Sequence, residues 1–379
     1  MKRYPCTGHV DLRGFPAYLE GELGASRHNL QAFARELEGR FDAARIVLTN
    51  SGSSANLAAA FALREVTDTH RRRAIISGFT FPTTVAALVT AGFEPYVVDT
   101  EPGGFGIDPS AAERAMDVDT SVICVTHFLG FSAAVDRLVE VAAPYQAQIL
   151  QDGCETMDTF VGDRRAHQIS GLTTWSFYHP HHLSAYGGGA VIASNERLQR
   201  KLESIAHWGR ACTCHVPDLP CVAPHGRDHN FWYERPGFNL EMSELNACFG
   251  RFQLARFDRD EAVRKQHYGI LHEALADLDG VRVWAPPKNT GSPFVFPIAL
   301  DDPLRVERVC QWLDARGVET RSLMGGAITR QPAYALLRND GLKECQALSE
   351  RAFCVGVHQT LPEVDVMAVG RLLREALGC

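Results

Sequence analysis

Along the first two-thirds of the chain, short apolar runs rich in β-branched residues alternate with stretches of helical periodicity. Asn29 to Phe41 reads as an amphipathic helix, and Arg45-Ile-Val-Leu-Thr as a short strand. Ser51-Gly-Ser-Ser-Ala-Asn then turns into a second helix. Further strands are expected at Arg73–Ser77, Glu94–Asp99, Ser121–Thr126, Gln148–Asp152, Thr173–Phe177 and Gly189–Ser194, with a helix from Pro82 to Ala91. Continuous apolar strands separated by helices fit βαβ units and a mainly parallel sheet covered on both faces.

A single long helix is expected from Met242 to Leu275, followed by a Pro/Gly-rich stretch and a strand, Phe294–Leu300. Helices near Pro303–Arg316 and Glu363–Leu377 complete a smaller α+β unit. The spacing therefore predicts a large α/β domain over residues 1–250, with a cysteine-bearing loop at 208–225, and a small C-terminal domain over 251–379. No repeat or low-complexity tract interrupts them.

The chain has 379 residues and a formal charge of −7, from 38 Lys+Arg against 45 Asp+Glu. That balance disfavours a nucleic acid or an anionic membrane as partner. The longest apolar runs fall well short of the roughly 20 residues that span a bilayer. The first residues, MKRYPCTGHVDLRG, lack the apolar core of a secretory signal. A cytoplasmic location, where thiols stay reduced, is the expectation. Eleven cysteines are present. Seven are scattered singly and read as small buried hydrophobes. Cys154, Cys212, Cys214 and Cys221 instead follow C-x57-C-x-C-x6-C, a pattern able to bind a [2Fe–2S] cluster or a zinc ion.

Two further segments carry candidate chemistry. Asn50-Ser-Gly-Ser-Ser-Ala-Asn lies between a strand and a helix, where small residues let backbone N–H groups approach a phosphate. Asp152 closes a strand at the end where α/β sheets bind ligands. A carboxylate there can keep a pyridine nitrogen protonated and make a cofactor ring an electron sink.

These features stand in register with Phe81 in Gly78-Phe-Thr-Phe-Pro-Thr-Thr, with Ser176-Phe-Tyr-His-Pro-His-His-Leu, and with Tyr186-Gly-Gly-Gly-Ala-Val. Together they resemble the DegT/DnrJ/EryC/StrS sugar aminotransferases and the deoxysugar 3-dehydrases derived from them, a branch of the fold-type I pyridoxal-phosphate enzymes. The likeness extends through Gly237-Phe-Asn-Leu-Glu-Met-Ser-Glu-Leu and Thr329-Arg-Gln-Pro-Ala-Tyr, nearly the whole chain. It implies that Gly52, Ser53, Ser54 and Ser176 hold the cofactor phosphate and that Phe81 stacks on the ring. Asp152 would pair with the pyridine nitrogen, and Glu155 would lie near the ring hydroxyl. The family resemblance also implies a homodimer in which Asn239 reaches the neighbouring subunit's phosphate.

His181 occupies the position of the family's cofactor-binding lysine, and the five lysines, Lys2, Lys201, Lys265, Lys288 and Lys343, all lie elsewhere. The same replacement, with a second histidine following (here His182), marks the 3-dehydrase branch. It implies pyridoxamine phosphate bound without a covalent link and an unperturbed imidazole at His181 as base. The cysteine pattern, preceded by Trp208-Gly-Arg, resembles the iron–sulfur motif of that branch, with the last gap one residue shorter. Cys221 is thus the least constrained ligand, and His215 and His225 are the candidates to replace it. The implied reaction removes the C3 hydroxyl of a 4-keto sugar, with electrons delivered singly through a [2Fe–2S] cluster from a separate reductase. Two rivals are a cluster-free 3-dehydratase and a non-catalytic cofactor-binding protein on the same fold.

Overall fold

The computed structural model describes residues 2–22, 28–169, 171–224, 226–286 and 293–378. After helices α1 (Phe15–Glu22) and α2 (His28–Phe41), β1 (Ile46–Thr49) leads into α3 (Gly52–Arg64). The chain continues through β2 (Arg73–Ser77), α4 (Pro82–Thr90), β3 (Glu94–Val98), α5 (Pro109–Ala115), β4 (Thr120–Thr126), α6 (Val135–Ala142) and β5 (Gln148–Asp152). A hairpin, β6 (Phe160–Val161) and β7 (Arg164–Arg165), precedes β8 (Leu172–Ser176), β9 (Gly189–Ala193) and α7 (Glu196–Ala206).

The central sheet has the order β1-β9-β8-β5-β4-β2-β3 and is closed at its far edge by β13 (Arg338–Asn339). Every neighbouring pair from β8 to β13 is parallel; β9 alone runs against its neighbours. This is the fold-type I α/β architecture. All seven residues of β4 are buried, as a strand covered on both faces requires. Ala55, Ala58, Ala59, Ala60 and Ala62 are all buried on α3, and these small side chains let it lie close against β8 and β9.

The expected single helix from Met242 to Leu275 is two helices, α8 (Glu244–Leu254) and α9 (Phe257–Leu275). The break at Ala255–Arg256 separates two packing partners. α8 lies against α2, whereas α9 lies against α12 (Glu363–Leu377) and the small sheet. Phe257 turns inward at the junction to meet Phe41 edge-on, with ring centroids 5.2 Å apart. Periodicity shows an apolar stripe, not which of two cores the stripe faces. The small sheet has the order β10-β11-β14-β12, from Val281–Val283, Val295–Leu300, Ala352–Gly356 and Arg321–Ser322, all antiparallel. Among the described residues, no helix is long and apolar enough to cross a membrane.

Candidate active site

At the carboxyl ends of the parallel strands lies a cavity of about 340 Å³. Its lining includes Gly52, Ser53, Phe81, Asp152, Cys154, Glu155, Ser176 and His181, and no lysine among the described residues. Strand geometry explains the convergence: β5 ends at Asp152, β8 ends at Ser176, and α3 begins at Gly52 directly beside them. Ser51 caps α3, its hydroxyl accepting from the Ser54 N–H at 3.0 Å. The N–H groups of the first turn have no intrahelical partner and carry the positive end of the helix dipole.

Tyr186-Gly-Gly-Gly has a steric reason. Gly188 sits at φ +106°, and a Cβ on it would meet Met242 Cε at 2.2 Å. A Cβ on Gly189 would fall 2.7 Å from the Gly52 nitrogen. Only bare backbone lets β9 pass this close beneath the start of α3.

Asp152 is buried, with every contact aimed at holding its carboxylate still. Oδ2 accepts from Asn56 Nδ2 at 3.0 Å and from Thr84 Oγ1 at 2.5 Å, and Oδ1 accepts from the Cys154 N–H at 3.1 Å. Thr174 in turn donates to Asn56 Oδ1 at 2.6 Å. Sequence reasoning missed Asn56, Thr84 and Thr174. Their spacing along the chain carries no signal, although Asn56 stands one helical turn after Ser53 on the same helix.

Burial lowers His181 to about 4, against the pull of the Ser176 carbonyl, so its imidazole is neutral at physiological pH. This replaces the expected unperturbed histidine. Its Nδ1 is buried without a hydrogen-bond partner. Burial likewise pushes Glu155 up to about 7; Leu129 donates to Oε2 at 3.1 Å, while Oε1 is buried and unpartnered. Two unsatisfied buried polar atoms, on residues that line one cavity, mark a site shaped for a polar guest. The donors and acceptors present fit a phosphorylated pyridine: N–H groups for phosphate, an aromatic ring at Phe81, and a carboxylate at the sheet end.

Some expected residues stand apart. Ser54 does not line the cavity; its hydroxyl is held by Asn50 Oδ1 at 2.6 Å and Ser51 Oγ at 2.9 Å. Asn239 is exposed and lies outside this chain's own cavity. His182 is buried behind the cavity, beside Phe294. Lys201 pairs with Glu65 at 2.6 Å, on the outer side of α3 and α7. Lys288 lies outside the described residues.

A model of the DegT/DnrJ/EryC1/StrS aminotransferase family matches residues 9–374. The chain belongs to this family. It is 31% identical to the dTDP-4-dehydro-2,6-dideoxy-D-glucose 3-dehydratase of Saccharopolyspora spinosa, over 88% of this chain and 77% of that protein. It is 29% identical to the lipopolysaccharide biosynthesis protein RfbH of Salmonella typhimurium, over 91% of this chain and 84% of that one. In fold it matches E. coli GDP-4-keto-6-deoxy-D-mannose-3-dehydratase with a TM-score of 0.87 at 21% identity, covering 98% of this chain and 100% of that one.

The cysteine pattern does not assemble as expected. Cys212, Cys214 and Cys221 converge, but Cys154 lies in the cofactor cavity and is not among the converging donors. It packs beneath the start of α3, where its Sγ would be 2.9 Å from a Cβ on Gly52, and burial pushes its thiol well up. The physical reason is its place two residues after Asp152: the end of β5 that delivers the carboxylate also delivers Cys154. His215 turns away from the thiols to Glu203, with Nε2 3.1 Å from Oε2. His225 lies outside the described residues. The fourth donor beside the thiols is His229, a residue sequence reasoning missed.

Proposed function

We propose that this chain is a pyridoxamine-phosphate-dependent 3-dehydratase that removes the C3 hydroxyl of a 4-keto nucleotide sugar, with His181 as its acid–base group. The observation that carries this reading is the neutral imidazole of His181 in a cavity whose lining, among the described residues, holds no lysine. An aminotransferase needs a lysine both to hold its cofactor covalently and to move protons; an imidazole serves only the second purpose. The relative from S. spinosa is named a 3-dehydratase, and the E. coli fold neighbour is a 3-dehydratase with bound hydrated PLP.

The cofactor, bound without a covalent link, supplies an amine to condense with the C4 ketone and a ring that accepts electrons. Gly52, Ser53 and Ser176 bind its phosphate, and Phe81 covers the ring. Asp152, locked by Asn56 and Thr84, holds a pyridine nitrogen in its protonated form. Glu155 places a readily protonated carboxyl beside the ring hydroxyl. His181 takes a proton from the carbon that bears the amine. Because burial makes the imidazolium costly, His181 passes that proton on to the departing C3 hydroxyl, which leaves as water. Asn239, exposed on this chain, completes the phosphate site of a second subunit in a homodimer.

The thiol loop separates two versions of the reaction. In one, a [2Fe–2S] cluster carries electrons singly from a separate reductase in the cytoplasm, a version supported by the convergence of three thiols. In the other, no cluster takes part: the cofactor's aminomethyl group would itself supply the two electrons, ending as the aldehyde form with its nitrogen released as ammonia. A zinc ion or none then sits at the cysteines. Iron and acid-labile sulfide analysis distinguishes them.

The test of the reaction itself is incubation of the pyridoxamine-phosphate-loaded protein with CDP-, dTDP- and GDP-linked 4-keto-6-deoxyhexoses, with and without a chemical one-electron reductant, followed by mass spectrometry. Loss of the C3 oxygen is the expected result. An amino sugar that keeps its C3 hydroxyl would overturn the reading in favour of an aminotransferase. No solvent-deuterium exchange at the amine-bearing carbon of the cofactor would leave a non-catalytic binding protein.

A further inference from the structure

Three sulfur atoms face one imidazole nitrogen on the loop that follows α7. Cys212 Sγ lies 3.3 Å, Cys214 Sγ 3.2 Å and Cys221 Sγ 3.5 Å from His229 Nε2. The four donor atoms all lie within 4.8 Å of one another. A tetrahedral ion with metal–sulfur bonds of about 2.3 Å and a metal–nitrogen bond of about 2.0–2.1 Å sets nitrogen and sulfur roughly 3.5 Å apart.

The tautomer is determined by a second contact. His229 Nδ1 lies 3.0 Å from the Pro224 carbonyl, which can only accept, so Nδ1 carries the hydrogen and Nε2 presents a lone pair to the thiols. A ligating histidine that gives its other N–H to a carbonyl is the usual outer-sphere arrangement of a metal site. The scaffold is built to match. Ala211, Cys212 and Ala223 are buried together against Cys221, and the Ala211 N–H donates to the Trp232 carbonyl at 2.9 Å. A short 3₁₀ turn, His229–Phe231, brings the imidazole back across from the thiols.

We propose that Cys212, Cys214, Cys221 and His229 form the complete donor set of one metal centre, with His229 rather than Cys154 as the fourth ligand. The signature is then C-x-C-x6-C-x7-H within a single loop. Its chemistry is three thiolates and one imidazole, which suits either a tetrahedral zinc ion or a cluster with one histidine ligand. The inference rests on the family reading only for the choice between those two occupants. The donor set stands on geometry.

The experiment uses full-length protein, purified without oxygen and loaded separately with zinc and with iron plus sulfide, in parent, Cys154→Ser, His229→Ala and His229→Cys forms. Metal and acid-labile sulfide per chain are measured, with visible and electron paramagnetic resonance spectra of the iron-loaded samples. Circular dichroism reports folding in every form, and bound pyridoxal phosphate does so for the His229 variants. Cys154→Ser should keep the parent's metal content and spectrum. His229→Ala should lose most of the metal while still binding pyridoxal phosphate, and His229→Cys should regain metal with a changed spectrum. Loss of metal from Cys154→Ser, with full retention in His229→Ala, would falsify the assignment. Zinc alone, with this same dependence, sustains the donor set and removes the iron–sulfur version of the reaction. Two irons and two sulfides with this dependence sustain both.

Discussion

At the scale of single residues, His181 and Glu155 show how one cavity moves two groups in opposite senses. Burial disfavours charge on each, so the imidazole falls to about 4 and the carboxyl rises to about 7. Near neutral pH the imidazole is uncharged, while the carboxyl is divided between its protonated and ionised forms. His181→Asn should fold and bind the cofactor, yet lose proton exchange at the amine-bearing carbon by on the order of 10²–10⁴-fold. Single-turnover exchange into deuterated solvent measures this, and His182→Asn should cost far less because that ring lies behind the cavity. The pH dependence has a definite sign. In the cofactor-free fold His181 binds its proton only near pH 4, whereas in an open chain it does so near pH 6.5. Between those values the unfolded state holds more protons, so His181 subtracts stability as the pH falls and subtracts none above about 6.5. Glu155 acts in reverse, because its folded value is the higher one. The contribution of His181 is therefore read as a difference: between pH 7 and pH 5 the melting temperature of His181→Asn should fall less than that of the parent.

At the scale of elements, close approach is secured by missing side chains. α2 and α8 cross at Gly250, where an added Cβ would lie 2.5 Å from Phe33 Cζ. Phe33 is fully buried and packs on Phe177 at 5.3 Å between centroids, so it has nowhere to retreat. Gly250→Ala should destabilise by about 1–3 kcal/mol through overpacking, despite the better helix propensity of alanine. Urea denaturation should show a lower midpoint at unchanged m-value; an unchanged or higher midpoint would mean the two helices can slide apart freely. The turn at Gly52, proposed to hold the cofactor phosphate, obeys the same logic with a functional readout. A Cβ on Gly52 would meet Ser176 Cβ at 2.6 Å. Gly52→Ala should therefore weaken pyridoxal-phosphate binding more than it lowers the melting temperature.

At the scale of the whole molecule, no lysine among the described residues lines the cavity, and Asn239 is exposed outside it. Borohydride reduction of the pyridoxal-phosphate form should fix no label to the protein; a labelled peptide containing Lys201 would contradict non-covalent binding. The exposed Asn239 bears on assembly. If it completes a neighbouring subunit's site, co-expression of Asn239→Ala with His181→Asn should produce mixed dimers that each contain one intact site. Activity should then recover to roughly one quarter of the parent value, since about half of randomly paired dimers are mixed. Recovery no greater than the sum of the two separate variants would place Asn239 outside the neighbour's site.

Sequence alone determined the layer architecture, because β-branched runs between amphipathic helices have few ways to bury both faces of a sheet. The family resemblance carried by its motifs also placed Gly52, Asp152, Ser176 and His181 in one site; the first three fall at element ends that the sheet brings together, and His181 lies in the loop after β8. Tertiary structure decided the rest. The break between α8 and α9 depends on which core each half meets. The clamp of Asn56, Thr84 and Thr174 on Asp152 joins three separate elements. The cysteines are the sharpest case. Spacing treats Cys154 as equivalent to the three loop thiols, but a strand end and a loop occupy different places, and the imidazole that faces the thiols belongs to His229. Local pattern governs which side chains share a face; long-range packing governs which faces meet.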